Sequence, residues 1–490
     1  DWQSWRSTGR MSASGPFIWA VASAAYQVEG AFDVDGRVKS LWDRIRMEEG
    51  RIADGSPPEM AADFFYHWKE DIQLIRSLNV THFRFSICWS RVVNEDGSHN
   101  QAGMNFYKEL CEHLKENNIE PIVTLFHADI PLWLYRKGSW LNPEIIDYFV
   151  DFCDFCFKEL GQFVRHWLTI NEVGMHAWCG IVKQRGNPFH SFEEELPSDL
   201  QPGADEKKRL ATVFLSAHHL ILAHAKVYRL YKQVHFAEQR GSVGIVLGGH
   251  WCEPVDPADP LHRDAADRAF VATLLHFAQP IFGDGGYPAL TKELLNIAGF
   301  ADILPQFTES ELKEVKGSAD LIGINYYRPH FISAKIKADA DVSATEALFN
   351  YEEHDNPKWE KIAGESSWVC LCPEGLASIL DYIHHNFGNM PILITENGCM
   401  DKEGSDPLRD EHRIRYMKAH IDVVLKARNA GRNVVGYTAW SLTDNLEWDD
   451  GFAVRFGLFR VHFDEKRKGR EPKESAAAYG SIVKCFLGNK

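Results

Sequence analysis

Long apolar runs are missing from this 490-residue chain: no stretch of about 18 apolar residues occurs, so no membrane span is expected. Positive charge is also in short supply, with 53 Lys and Arg against 69 Asp and Glu, a net charge of −16. That balance argues against nucleic acid, whose binding proteins carry a basic stripe. It disfavours anionic substrates as well, short of a local basic pocket, and keeps the surface soluble. A disulfide framework is absent too. The ten cysteines, Cys88, Cys111, Cys153, Cys156, Cys179, Cys252, Cys370, Cys372, Cys399 and Cys485, show no framework spacing, and several fall on predicted strands or helix faces. Cys153 and Cys156 sit in a helical aromatic run, where two core-facing thiols are expected rather than a redox or metal pair. Asp1 to Arg10 lacks the pattern of an export signal. Reduced thiols and no export signal point to the cytoplasm; a secreted chain with its signal already cleaved is the alternative.

No composition break or long linker divides the chain. Residues 1–12 read as an N-terminal tail, and 13–490 as one domain. What is plentiful is aromatic: 15 Trp, 15 Tyr and 30 Phe, enough for a large core or for sugar-stacking platforms. Apolar runs alternate with helical periodicity eight times. Strands are predicted at Phe17–Val21, His82–Ile87, Ile119–Phe126, His166–Ile170, Ser242–Leu247, Asp320–Tyr326, Pro391–Thr395 and Val434–Ser441. Helices are predicted at Pro58–Leu78, Gln101–Asn117, Pro143–Gly161, Lys207–Gln233, His262–Phe277, Pro373–Asn386, Asp410–Ala430 and Lys473–Phe486. Eight β-then-α units match an α/β fold of the closed (β/α)8 TIM-barrel kind, with long βα loops at Asn187–Glu206 and Lys335–Lys358. An open doubly wound sheet is the alternative, but no dinucleotide-binding glycine turn follows the first strand.

Two glutamates stand out. One ends Trp167-Leu168-Thr169-Ile170-Asn171-Glu172; the other lies in Pro391-Ile392-Leu393-Ile394-Thr395-Glu396-Asn397-Gly398. Each follows a β-rich run, which is how a parallel barrel presents an acid at its C-terminal mouth. Paired carboxylates across such a mouth are the usual equipment for cutting a glycosidic bond. Other polar residues collect at the remaining strand ends: Gln27, Arg84, His127, Asn325, Tyr327 and Glu447. His218, His219 and His224 share one predicted helix at spacings that can hold a metal, but no carboxylate joins them, so packing is the better account.

Taken together, Ala24-Ala25-Tyr26-Gln27-Val28-Glu29-Gly30, Phe83-Arg84-Phe85-Ser86, Asn325-Tyr326-Tyr327, Ile394-Thr395-Glu396-Asn397-Gly398 and Trp440-Ser441-Leu442-Thr443-Asp444-Asn445-Leu446-Glu447-Trp448 resemble glycoside hydrolase family 1 β-glycosidases, in order and over nearly the whole chain. The resemblance implies a retaining exo-β-glycosidase acting on small β-glycosides, with terminal β-D-glucosyl residues as substrate and β-galactosyl or β-fucosyl residues as open alternatives. It implies Glu396 as nucleophile and Glu172 as acid/base, with Arg84, Asn325 and Tyr327 supporting the nucleophile. Substrate contacts would come from Gln27, His127, Asn171, Tyr327, Trp440, Glu447, Trp448 and Phe456, and Trp368 would face the aglycone. A carboxylate at Glu447 implies an unphosphorylated sugar. No cofactor and no metal are called for, and the protein is expected as a monomer or homodimer. A transglycosidase or a catalytically silent glycan-binding relative are the other readings.

Three positions depart from the family pattern. Val173 and Gly174 follow the acid where Pro and an aromatic are usual, and Ala128 stands where Trp often follows the histidine. A looser acid and a roomier aglycone side, opened by Gly174 and Ala128, are expected. The segment Gly180 to His190 also lacks the usual glycine-rich form.

Overall fold

A computed structural model of the chain describes residues 15–179, 192–201, 205–334 and 349–488. The tail expected at 1–12 and the segment 180–190 lie outside the described residues, as does most of the 335–358 loop. Eight parallel strands close a barrel: β1 (Ile18–Ala22), β2 (His82–Ser86), β3 (Glu120–Phe126), β4 (His166–Ile170), β5 (Ser242–Gly248), β6 (Leu321–Asn325), β7 (Ile392–Asn397) and β8 (Val434–Trp440). Each pairs with its neighbour in sequence, and β1 closes on β8 with Ile18 beside Gly436. All eight predicted strands are present, shifted by one or two residues at their ends. The difference that matters is β7, which runs past Thr395 to include Glu396 and Asn397.

Alternation along the strands sorts the side chains. Ile18, Ala20, Ile122, Leu168, Val246, Leu321 and Leu393 form a dry plug inside the barrel. Phe83 and Phe85 of β2 point the other way, against Phe64 and Tyr107, which leaves Arg84 between them aimed inward. The outer layer contains α1 (Phe64–Ser77), α2 (Gln101–Glu116), α3 (Glu144–Leu160), α4 (Glu206–Leu230), α5 (Pro260–Phe270), α6 (Pro373–Asn386), α7 (Glu411–Asn429) and α8 (Glu474–Leu487). The predicted first helix begins six residues late because Asp63 has a left-handed backbone, φ 57°, which cannot continue a right-handed helix. α4 instead runs on through a π turn, Tyr231–His235, fixed by His235 Nε2 on Asp154.

Lys207–Gln239, which contains most of α4, is long and apolar enough by composition to cross a membrane, contrary to the expectation of no such segment. Its apolar window is 83% buried against the barrel, which accounts for its composition. The three histidines of α4 go to separate partners: His218 to the Tyr287 hydroxyl, His219 to the Trp140 carbonyl and His224 to Thr169 Oγ1. A three-stranded sheet outside the barrel has no counterpart among the predicted strands: His330–Ala334 pairs with both Cys252–Pro254 and Tyr351–His354. Nine cysteines, all but Cys179, have described side chains, and these nine are unbridged.

The loop after β8 carries several candidate site residues and is anchored by a buried charge. Lys473 Nζ donates to Asp444 at 2.9 Å and to Asp401 at 2.6 Å, and Asp444 also accepts from the backbone of Gly457 and Val461. Lys473→Met would strand the fully buried Asp444 carboxylate. Loss of one partner of a buried pair costs roughly 3–5 kcal/mol, so the urea midpoint should drop accordingly; a change under about 1 kcal/mol would show that the anchor is dispensable.

Candidate active site

Arg84 is the hub of the barrel mouth. Fully buried, its guanidinium donates to Glu396 Oε1 at 2.7 Å, the Thr395 carbonyl at 2.9 Å, Asn171 Oδ1 at 2.7 Å and Thr124 Oγ1 at 3.1 Å. Three strands, β3, β4 and β7, are thereby tied to the cation carried by β2. The other oxygen of Glu396 accepts from the Tyr327 hydroxyl at 2.8 Å. Both carboxylate oxygens thus carry a donor, one of them cationic. Gly398 in the same motif is required sterically, since a Cβ there would lie 2.0 Å from the Trp440 carbonyl oxygen.

Glu172 has a different setting. Its Oε1 accepts one hydrogen bond, from Asn325 Nδ2 at 3.1 Å, and no cation touches it. Burial pushes its carboxyl up to about 7, with the negative charge of Glu396 adding to the rise and Asn325 and Arg84 opposing it. Desolvation is the larger cause, ahead of the neighbouring carboxylate. The two acids therefore occupy opposite environments within one bonded frame, because Arg84 and Asn325 both reach Asn171 Oδ1.

A cavity of about 240 Å³ opens over this frame, lined by Gln27, His127, Asn171, Glu172, Tyr327, Trp368, Glu396, Trp440, Glu447 and Trp448. The rings of Trp440 and Trp448 lie nearly parallel to that of His127, with centroids at 6.0 and 6.2 Å. Aromatic faces beside polar edges suit a sugar, which has a C–H face and hydroxyl rims. Gln27 Oε1, His127 Nδ1 and Glu447 Oε2 are buried here without a hydrogen-bond partner among the described residues. Asn171 Nδ2, a donor only, approaches His127 Nε2 at 3.4 Å, so Nε2 accepts and a neutral imidazole carries its proton on Nδ1. Burial, with Arg84 and His176, holds that imidazole well below its usual range and hence neutral. Burial and three neighbouring carboxylates, Asp450, Glu396 and Glu172, push Glu447 up to about 8. The same crowding opposes an added anion, and no Lys or Arg is among the residues lining the cavity. An uncharged sugar fits better than a phosphorylated one, through the field of several carboxyls rather than through a charge on Glu447 alone.

Three expectations need correcting. Asn325 is beside Glu396 in the β6–β7 register, yet its side chain bonds Glu172 and Asn171 and accepts from Thr395, so it serves the acid's side. Phe456 is buried and does not line the cavity; its ring meets Tyr327 and Trp368, each at 5.9 Å. Gly174 opens no space towards a leaving group, because a Cβ there would meet Phe277 Cε2 at 3.2 Å and the Thr273 carbonyl at 3.4 Å. Ala128 does line the cavity. Residues the sequence reading missed are Trp42, Met175, His176 and His250, all lining it as well. Trp42, in the short helix Leu41–Arg46, packs its ring against Trp448 with centroids 4.8 Å apart and planes at 37°, a contact distant in sequence that no local pattern announces.

Residues 11–486 match the profile of glycosyl hydrolase family 1. Human cytosolic beta-glucosidase is 34% identical over 97% of this chain and 98% of its own length. Beta-glucosidase 17 of Arabidopsis thaliana is 37% identical, over 96% of this chain and 91% of that protein. Among solved structures, an aphid myrosinase superposes with a TM-score of 0.84 at 29% identity, covering 95% of this chain and 98% of that one. A rice beta-glucosidase, solved in a covalent complex with Glc, gives 0.85 at 32% identity, covering 96% and 99%. Fold, site and matches together define a β-glucosidase-type glycoside hydrolase acting on O-glycosyl bonds. The chain belongs to glycosyl hydrolase family 1.

The electrostatic link between the two acids can be read directly. Glu396→Gln removes the second-largest cause of the Glu172 shift, so the Glu172 titration, followed by carboxyl-carbon NMR, should fall below about 7. It should stay above the ordinary glutamate range near 4.3, because burial remains. An unmoved titration would show that the carboxylates do not interact.

Proposed function

We propose that the protein is a retaining exo-β-glycosidase that releases terminal non-reducing β-D-glucosyl residues by double displacement. The observation carrying this reading is the contrast between Glu396, held by Arg84 and Tyr327, and Glu172, buried with a single neutral donor and raised to about 7. Glu396 attacks the anomeric carbon as the glycosidic C–O bond breaks, and Glu172 gives its proton to the departing oxygen. The product is a glycosyl ester on Glu396. Ester formation removes the charge that helped raise Glu172, so its carboxyl becomes more acidic and can take a proton from the incoming water. That water attacks the same carbon and regenerates Glu396. Retention requires the two carboxyls to stand roughly 5–5.5 Å apart, and the shared Asn171 link favours such closeness. The covalent Glc complex of the rice relative supports the intermediate by similarity.

Recognition of the sugar falls to Gln27, His127, Asn171, Glu447 and Trp448, with Trp440 under the C–H face. Gln27 is buried and Glu447 half-buried, so the far edge of the ring meets protein rather than solvent, as removal of a terminal residue needs. A raised Glu447 can donate as well as accept, which suits a pair of adjacent hydroxyls. Trp368, 39% exposed and edge-on to Tyr327, is placed for the aglycone.

Two measurements test the reading. Glu172 carries its proton below about 7 and loses it as pH rises, so kcat/KM on an aryl β-glucoside should decline above about pH 7. Glu396→Gly should lower turnover of p-nitrophenyl β-D-glucoside by about 10⁴-fold or more, and azide should restore it, yielding the α-glucosyl azide. Substantial turnover without azide would remove Glu396 from the chemistry; sugar binding with no turnover in the wild type would leave a glycan-binding protein. A panel of β-glucosides, β-galactosides and β-fucosides, with an alcohol present as acceptor, settles sugar preference and hydrolysis against transfer.

A further inference from the structure

Glu172 has a backbone conformation that side-chain-bearing residues rarely adopt, with φ at +44°. Something must hold it there. Both peptides flanking its Cα are engaged by the next turn of chain: the Glu172 carbonyl accepts from Met175 N–H at 2.8 Å, and the Asn171 carbonyl is 2.8 Å from His176 Nε2. A carbonyl only accepts, so Nε2 carries the imidazole proton. Burial pushes His176 down to about 4, so the ring is neutral over the working range. The ring is itself fixed, packing on Phe126 at 4.8 Å and 37°. Phe126 in turn accepts the Asn171 N–H at 2.8 Å, which closes a circuit from β3 through the imidazole to the peptide bearing the acid.

We propose that His176 is a positioning residue for the acid/base Glu172, acting through the Asn171–Glu172 peptide that its Nε2–H clamps. Arg84 and Asn325 orient the side chain of Asn171, and His176 orients its backbone. Glu172 begins where that peptide ends, so a rotation there swings its carboxyl away from the leaving oxygen. Displacement of about 1 Å at a reacting group can cost on the order of 10²-fold in rate. The inference rests on the reading of Glu172 as the proton donor. It also makes a prediction separate from general loss of structure, because proton donation matters in proportion to how poor the leaving group is.

The test uses His176→Phe, which keeps a ring against Phe126 and removes the donor. For phenyl β-D-glucoside, which needs its leaving oxygen protonated, kcat/KM should fall about tenfold or more. For 2,4-dinitrophenyl β-D-glucoside, whose leaving group departs unaided, it should change by less than about twofold. His176→Gln, which places an amide N–H near the position of Nε2, should recover much of the phenyl glucoside activity. Should the Phe variant not fold, His176→Asn, too short to reach the carbonyl, makes the same comparison. An equal loss on both substrates, or no loss on either, would overturn the proposal, since those are the marks of a structural or sugar-binding role. Glu172→Gln run in parallel separates the two claims. If it shows the leaving-group-selective loss and His176→Phe does not, the His176 assignment fails while the acid stands; if Glu172→Gln shows none, the acid assignment fails and takes this one with it.

Discussion

Everything at the barrel mouth is arranged around one buried cation. The Arg84 guanidinium is out of contact with water, so each of its N–H groups needs an acceptor, and it finds them on the ends of β3, β4 and β7. An unpaired buried charge costs several kcal/mol, so the strand ends cannot drift independently without a large penalty. The cation is also what permits a charged Glu396 in a dry site. Under the proposed mechanism, ester formation on Glu396 would remove the charge that adds to the rise at Glu172.

The division of labour follows from how each carboxyl is solvated by protein. Glu396 has two donors, one of them cationic, whereas Glu172 has a single neutral one. The same residue type thus sits in two contrasting environments, as the proposed nucleophile and acid require. Glu447 is pushed up to about 8 chiefly by burial, with Asp450 and then Glu396 and Glu172 adding to the rise. A pocket that resists a third negative charge selects neutral ligands on electrostatic grounds alone.

The barrel was legible because its signal is local. Val/Ile/Leu-rich runs and helical periodicity depend on neighbours in sequence, and every strand was placed to within two residues. Of the residues that carry the resemblance, Glu172, Tyr327 and Glu396 line one cavity, and Arg84 lies behind it, bonded to Glu396. What escaped notice depends on tertiary contact. Trp42 reaches the cavity through a contact with Trp448, and the space beside Gly174 is taken by Phe277 from a distant helix. The resemblance puts Asn325 on the nucleophile's side, whereas its amide crosses the mouth to Glu172. His176, five residues past Asn171 in a short π turn, gave no periodic signal at all.

The central claim is that Glu396 becomes covalently bonded to the sugar while Glu172 does not. Incubation with 2,4-dinitrophenyl 2-deoxy-2-fluoro-β-D-glucoside slows the second step and should trap the ester, and peptide mass spectrometry then locates it. The account predicts a single fluoroglucosyl label on Glu396, released on adding a β-glucoside acceptor. A label on Glu172, or active enzyme that hydrolyses β-glucosides yet takes up no label, would contradict it.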